Sequence, residues 1–209
     1  PDQPVDYDCG DCNRCVVACP TSCLLGDTTM NARRCLSFQT QDKGMMDLEF
    51  RKKIKTVIYG CDICQICCPY NKGISSPPVV EIDPDLAEPE LIPFLDLSNG
   101  QFKEKFGMIA GSWRGKNILQ RNAIIALANS NDRSAIPKLI EIIDKKQNPI
   151  HMATAIWALG QLVKQPNEEM IAFIAGLSSD NDDVLAEQAA FLNMVKDLQM
   201  WYNKDYESK

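Results

Sequence analysis

Two cysteine runs could do chemistry in this chain: Cys9-Gly-Asp-Cys12-Asn-Arg-Cys15-Val-Val-Ala-Cys19-Pro20 and Cys61-Asp-Ile-Cys64-Gln-Ile-Cys67-Cys68-Pro69. The first has the C-x2-C-x2-C-x3-C-P spacing that wraps three thiolates around one cubane [4Fe–4S] cluster. Its fourth thiolate, the one before proline, goes to a neighbouring cluster. Each cubane takes four thiolates, and the ten cysteines of the chain suffice for two. Paired C-x2-C steps also build structural zinc sites. One zinc needs only four ligands, however, and the first run alone supplies four and ends in Cys-Pro. Steps this tight do not form ordinary disulfides. They point to metal ligation in a reducing compartment, the cytoplasm.

Cys19-Pro20 and Cys68-Pro69 match each other, so each cysteine is expected to cross to the other cluster. Cys9, Cys12, Cys15 and Cys68 then form one set. The other contains Cys19, Cys61 and Cys64 and lacks one member. Cys35, in Arg33-Arg34-Cys35-Leu36-Ser37, and Cys67, next to Cys68, compete for that place.

The elements that must position these thiols read as mainly α. Residues 1–8 are a polar, proline-punctuated strap. Asp11 to Ala18 predicts a short helical turn, closed by Pro20-Thr21. Residues 31–40 predict a helix with Cys35 and Phe38 on one face, and 47–59 another, basic at Arg51, Lys52, Lys53 and Lys55. Prolines then crowd the stretch to Pro93 and predict an extended connector. Beyond it cysteines vanish and alanine-rich helical segments recur at Arg121–Ala128, Met152–Gly160 and Ala186–Asn193. Apolar helices at Ile136–Ile143 and Met170–Leu177 alternate with them. Helix pairs at such a period read as a short α-solenoid, HEAT-like because the true HEAT period is roughly 40 residues or more. The expected organisation is a bacterial dicluster ferredoxin-like module over 1–75, a connector over 76–100 and a HEAT-like solenoid over 101–209. Lone His151 reads as structural, and Trp157, at repeat spacing, as core.

A net charge of -6 rules out a chain that is basic throughout, although local patches can still meet phosphate. Arg33, Arg34, Arg51, Lys52, Lys53 and Lys55 read as a solvated face. Lys103, Lys105, Arg114, Lys116 and Arg121 form a second patch where connector meets solenoid, and Gly111 and Gly115 would let the backbone approach phosphates there. No stretch is apolar for the roughly 18 residues of a membrane span. No Ser/His/Asp set, Gly-rich phosphate loop or HExxH is present, so no residue is assigned as catalytic and the expected task is electron transfer.

Cys-Gly-x-Cys-x-x-Cys-x-x-x-Cys-Pro-Thr from Cys9, Asn31-Ala-Arg-Arg-Cys-Leu-Ser37, Gly60-Cys-Asp-x-Cys-Gln65 and Cys68-Pro-Tyr-Asn71 together resemble the epoxyqueuosine reductase family. So do Trp113-Arg-Gly-Lys116 and Arg121-Asn-Ala-Ile-Ile-Ala-Leu127. The resemblance covers nearly the whole chain. It implies a cobalamin-dependent enzyme with two [4Fe–4S] clusters that removes the epoxide oxygen in the last step of queuosine synthesis at a tRNA wobble position. It implies Cys35 as the eighth ligand, which leaves Cys23 and Cys67 without a metal role. It also implies Ser37 and Asp62, which follow Cys35 and Cys61, as cobalamin contacts. The family's N-terminal domain, which holds most of the cobalamin and the catalytic acid, has no counterpart here. The chain begins Pro1-Asp2 without methionine, and the expectation is a C-terminal portion, inactive alone. The implied partners are tRNA carrying epoxyqueuosine and an external electron donor, with the protein a monomer. Two rivals stand beside this reading: the electron relay of a cobalamin-dependent reductive dehalogenase, and a ferredoxin-type carrier fused to a protein-binding solenoid.

Overall fold

The structure is a computed structural model that describes residue 3, residues 8–74 and residues 83–207, with side chains to residue 200. The strap 1–8 and the start of the connector therefore lie almost wholly outside the described residues. Among the described residues there is no strand, only an isolated antiparallel bridge between Leu24 and Met30.

The cysteine-bearing half is built from single helical turns: α1 (Arg14–Ala18), α2 (Leu36–Gln39), α3 (Leu48–Arg51) and α4 (Ile63–Ile66). The helix expected over 31–40 is broken. Ala32–Arg34 is a 3-10 turn, and Cys35 is extended at φ -66° and ψ 127° before α2 starts. The helix expected over 47–59 stops at Arg51. Its continuation is turns with Lys55 in the left-handed region at φ 53°. Side-chain donors from elsewhere in the fold bind the carbonyls released by these breaks, so tertiary bonds override local helical preference.

The connector expected over 76–100 is helical in its described part, with α5 (Pro84–Ala87), α6 (Leu91–Phe94) and the start of α7 (Asn99–Phe106). Pro84 sits at the first turn of α5, where its missing N–H costs nothing, and Asp83 caps it. Ser98 and Gln101 form a reciprocal capping box that starts α7. Phe94, Phe102 and Phe106 meet edge-on or stacked, with centroids 5.2–6.2 Å apart, and anchor a small apolar cluster with Leu119 and Ala123. Burying Phe94 is the reason this proline-rich stretch packs instead of staying extended.

The solenoid consists of α8 (Lys116–Asn129), α9 (Ile136–Lys145), α10 (Pro149–Leu162), α11 (Glu168–Ala175) and α12 (Asp182–Glu207). α10 is central. Residues Met152 to Leu159 are all buried, and α8, α9 and α12 pack round it. Ala153, Ala155 and Ala158 have no exposure, and side chains this small let the neighbouring helices come close. The main core does not stop at the module boundary. Leu36, Met46, Phe50 and Ile54 of the cysteine-bearing half share it with Ile124, Ile156 and Leu159 of the solenoid.

The face expected to be solvated is not uniformly so. Arg51 is 4% exposed, bonds Glu187 of α12 at 2.6 Å and stacks over Trp157 with its guanidinium 5.3 Å from the ring centre. Arg34 pairs with Glu49. Trp157 is core, as expected. His151 is structural: its Nε2 lies 2.8 Å from the Asn117 carbonyl, which can only accept. Burial holds this imidazole below its ordinary pKa, outweighing the upward pull of that bond.

Candidate metal centre and interface

α1 packs against α4 and brings the two cysteine runs together. Gly10 at φ 49° makes the first turn, its N–H donating to Asp8 Oδ1 at 2.8 Å, and the Cys12 N–H donates to the Cys9 carbonyl at 3.0 Å. The Tyr70 hydroxyl donates to the Asp8 carbonyl at 3.2 Å, tying the Cys68-Pro69 end to the entrance of the first run. All ten cysteines are free. Cys9 and Cys12 are exposed, Cys15 and Cys68 partly buried.

Burial first, then the neighbouring Cys61 and Cys35, push the Cys64 thiol up. Cys61 packs against the main core. Cys19 has Thr21 and Cys23 as neighbours. Burial raises its pKa, but hydrogen bonds from Thr21 and Cys23 outweigh burial and bring it down to about 6. A thiolate is the form that ligates metal, so Cys19 has the chemistry of a ligand, while among the described residues no three His, Cys, Asp or Glu side chains converge as they would on a single metal ion. Cys67 turns elsewhere: its thiol donates to the Cys64 carbonyl at 3.3 Å. Cys23 is 4% exposed, and its Sγ stands 3.4 Å from Cys19 Sγ while its N–H donates to the same sulfur at 3.3 Å. Burial, then the hydrogen bond and charge of Cys19, raise Cys23 to about 12, so it is a neutral donor beside a thiolate. Nothing in the spacing of the sequence suggested that role for Cys23.

Ser37 lies in the first turn of α2, which Cys35 precedes, and Asp62 is the residue that opens α4 after Cys61. Ser37 is partly buried, and its hydroxyl accepts from Gln41 at 3.3 Å. Asp62 is exposed and accepts from Gln65 at 2.6 Å.

The basic junction is only partly as expected. Lys103 is exposed, and Arg114 and Lys116 are partly exposed. None of the three forms an ion pair among the described residues. The Arg114 guanidinium lies 4.0 Å above the ring centre of Trp113, which is 62% exposed, and its Nε is buried without a partner. Lys105 stands 3.7 Å from Asp85. Arg121 must be removed from the phosphate-contact set. It is 1% exposed and spends its guanidinium on the carbonyls of Gln39, Asp42 and Gly44, at 2.6–2.9 Å. Gly111 also faces inward: a Cβ there would lie 3.1 Å from the Tyr59 ring, so its missing side chain serves packing. Gly115 does sit at φ 85°, a conformation natural to glycine, and starts α8.

A chain with this fold and this thiol arrangement is an iron–sulfur protein with a helical-repeat half. Residues 8–71 match the family described as 4Fe-4S double cluster binding domain, and residues 115–192 match HEAT repeats. The chain is 61% identical over 163 residues to an epoxyqueuosine reductase of Lactococcus garvieae (strain Lg2), covering 77% of this chain and 46% of that one. It superposes on the structure of epoxyqueuosine reductase from Streptococcus thermophilus with a TM-score of 0.88 and 73% identity, over 91% of this chain and 51% of that one. A third relative is an epoxyqueuosine reductase crystallised with an epoxyqueuosine-modified tRNA-Tyr stem loop, with a TM-score of 0.86 and 42% identity over 94% of this chain and 52% of that one. This chain is similar in sequence and fold to epoxyqueuosine reductases over most of its own length. It spans about half the length of these relatives.

The metal content follows from the thiol count. Anaerobically reconstituted protein is expected to hold about eight irons, two cubanes of four thiolate ligands each. Zinc as the dominant metal after anaerobic native purification would reject this expectation.

Proposed function

We propose that this chain is the electron-relay and tRNA-docking part of an epoxyqueuosine reductase, which reduces the epoxide of epoxyqueuosine in tRNA to queuosine. The observation that carries the proposal is the pairing of a double-cluster domain with a repeat half, in a chain that superposes on a relative crystallised with an epoxyqueuosine-modified tRNA stem loop. Cys9, Cys12, Cys15 and Cys68 hold one cluster, and Cys19, Cys35, Cys61 and Cys64 the other. The coupling of Cys64 to Cys61 and Cys35 supports the second set. Ser37 and Asp62, which follow Cys35 and Cys61 in the chain, would contact cobalamin. When bound, the clusters supply one-electron transfer from an external donor and cobalamin supplies a reducing cobalt centre. The chain's own residues would set the distances between these groups.

Lys103, Arg114 and Lys116 dock the RNA backbone, with Lys105 able to exchange Asp85 for phosphate. Exposed Trp113, backed by Arg114, offers a flat face of the kind on which nucleobases stack. Arg114→Ala combined with Lys116→Ala is expected to raise the dissociation constant for an epoxyqueuosine-modified stem loop. It should also lower the slope of log affinity against log salt by roughly 1–2 units, the value for two lost phosphate contacts. Cluster absorbance should not change. Exposed Lys164 and Lys196, outside the groove that Lys116 lines, changed together to alanine, serve as the control. Equal weakening in both double variants would mean that binding is diffuse, and no weakening in either would remove the junction from the RNA site.

A further inference from the structure

α8 belongs to the repeat half, yet three consecutive polar residues on it are buried: Gln120, Arg121 and Asn122. The Asn122 amide nitrogen donates to the Thr40 carbonyl at 2.7 Å and the Ile58 carbonyl at 2.8 Å. Its oxygen accepts from Arg121 Nε at 3.1 Å and Nη2 at 2.9 Å. Both hydrogens and both lone pairs of the amide are therefore used, which fixes its orientation. Thr40 has no exposure. Its hydroxyl accepts the Gly60 N–H at 2.9 Å and donates to the Ser37 carbonyl at 2.9 Å.

Asn122 thus clamps two backbone segments side by side, and Thr40 ties them again one step further along. One segment is α2 and its end, which begins at Cys35. The other runs Ile58–Gly60 straight into Cys61. These two cysteines are far apart in sequence, and no hydrogen bond found in the structure joins them directly. Their relative placement is carried by this knot of fully satisfied buried polar groups, which specify one geometry because any slip leaves a buried donor or acceptor unpaired.

We propose that Thr40 and Asn122 are positioning residues that set the separation of the Cys35 and Cys61 thiolates, so that a helix of the repeat half shapes the coordination of the second cluster. This rests on the assignment of Cys35 and Cys61 to one cluster. Groups that hold metal ligands in place tune the metal without touching it, and thiolates that each bond a different iron of one cubane have a restricted range of separations.

The test uses the whole chain, reconstituted anaerobically. Thr40→Val keeps the shape but leaves the Gly60 N–H without an acceptor. Asn122→Ala removes the clamp at both carbonyls and serves as a second variant. Asn129→Ala is the control for a merely structural bond. It removes donors to the Arg51 and Lys55 carbonyls from the same helix, away from the cysteine loops. Thr40→Val and Asn122→Ala are expected to change the electron paramagnetic resonance signal of one reduced cluster. In the stronger case iron should fall from about eight toward about four per chain, the content of one cubane. Thr40→Ser should restore the parent spectrum. Asn129→Ala should lower the unfolding temperature and leave the spectrum alone. Superimposable spectra and full iron in Thr40→Val and Asn122→Ala would overturn the inference, as would the same spectral change in Asn129→Ala. Cys35→Ser measured in parallel separates the two readings. If it keeps both clusters, the ligand assignment falls. If it loses one while the Thr40 and Asn122 variants match the parent, only the positioning role falls.

Discussion

Replacing Cys35 by serine is expected to remove or convert one of the two clusters, while Cys67→Ser and Cys23→Ala keep both. Cys35 is extended between a 3-10 turn and α2, and it is coupled to Cys64 and Cys23. Cys67 lies in the turn that ends α4, with its thiol on a backbone carbonyl of its own turn. Cys23 has a neutral thiol and gives its N–H to Cys19. Alanine at position 23 keeps that N–H donor and loses only the thiol. Iron and sulfide analysis after anaerobic reconstitution reads the outcome. Loss of about half the iron in Cys35→Ser, with full iron in the other two, is the expected pattern, because a cubane deprived of one thiolate sheds or rebuilds its irons. Loss of a cluster in Cys67→Ser with none in Cys35→Ser would reverse the assignment.

Arg121→Ala is expected to be the most destabilising single change outside the cysteines. Its guanidinium is buried, and its charge is met by carbonyl dipoles and the Asn122 amide, not by a carboxylate. Burial lowers its pKa to about 10, against an upward pull from Asp42 and with a further downward push from Arg51, so it stays charged at neutral pH. Truncation strands the Gln39 carbonyl and the Asn122 oxygen where water does not reach easily, and frees the carbonyls of Asp42 and Gly44, which belong to exposed residues. Each stranded group costs about 1–3 kcal/mol, and the variant should lose roughly 4 kcal/mol or more. For a chain of this size that corresponds to a fall in Tm of about 10 °C. Lysine should rescue little, since an ammonium cannot reach several carbonyls in the fixed fork of a guanidinium. Thermal unfolding followed by circular dichroism measures the loss. A change under about 1 kcal/mol would show that the carbonyls find other donors.

The cysteine spacing was legible because ligation is local chemistry: a cubane imposes its own short steps on the chain. The alternating helices of the repeat half were legible for a similar reason, their alanine and aliphatic periodicity being a packing requirement written along one helix at a time. Arg121 misled because an arginine beside other basic residues reads the same whether it faces water or a carbonyl. One signal was available, since Arg121-Asn122 enters Ala-Ile-Ile-Ala-Leu-Ala without an opposite polar face, and a helix apolar all round is buried all round. The break at Cys35 had no comparable signal. There the Gln39 amide folds back to donate to the Arg33 carbonyl, and Arg121 and Asn122, distant in the chain, hold the far end of α2. The connector misled because prolines dominate its composition, whereas one buried ring, Phe94, decides its structure.

The continuity of the core between Leu36, Met46, Phe50 and Ile54 and the solenoid has a consequence for the protein in a cell. A group that binds only the folded form adds its binding free energy to folding. In two independently folded halves, iron scarcity would disarm one and spare the other. Here the cysteine loops hang from the buried side chains of α8, so loss of iron is expected to destabilise the repeat half together with them. Iron supply would then set how much of the protein persists, as well as how much of it is loaded.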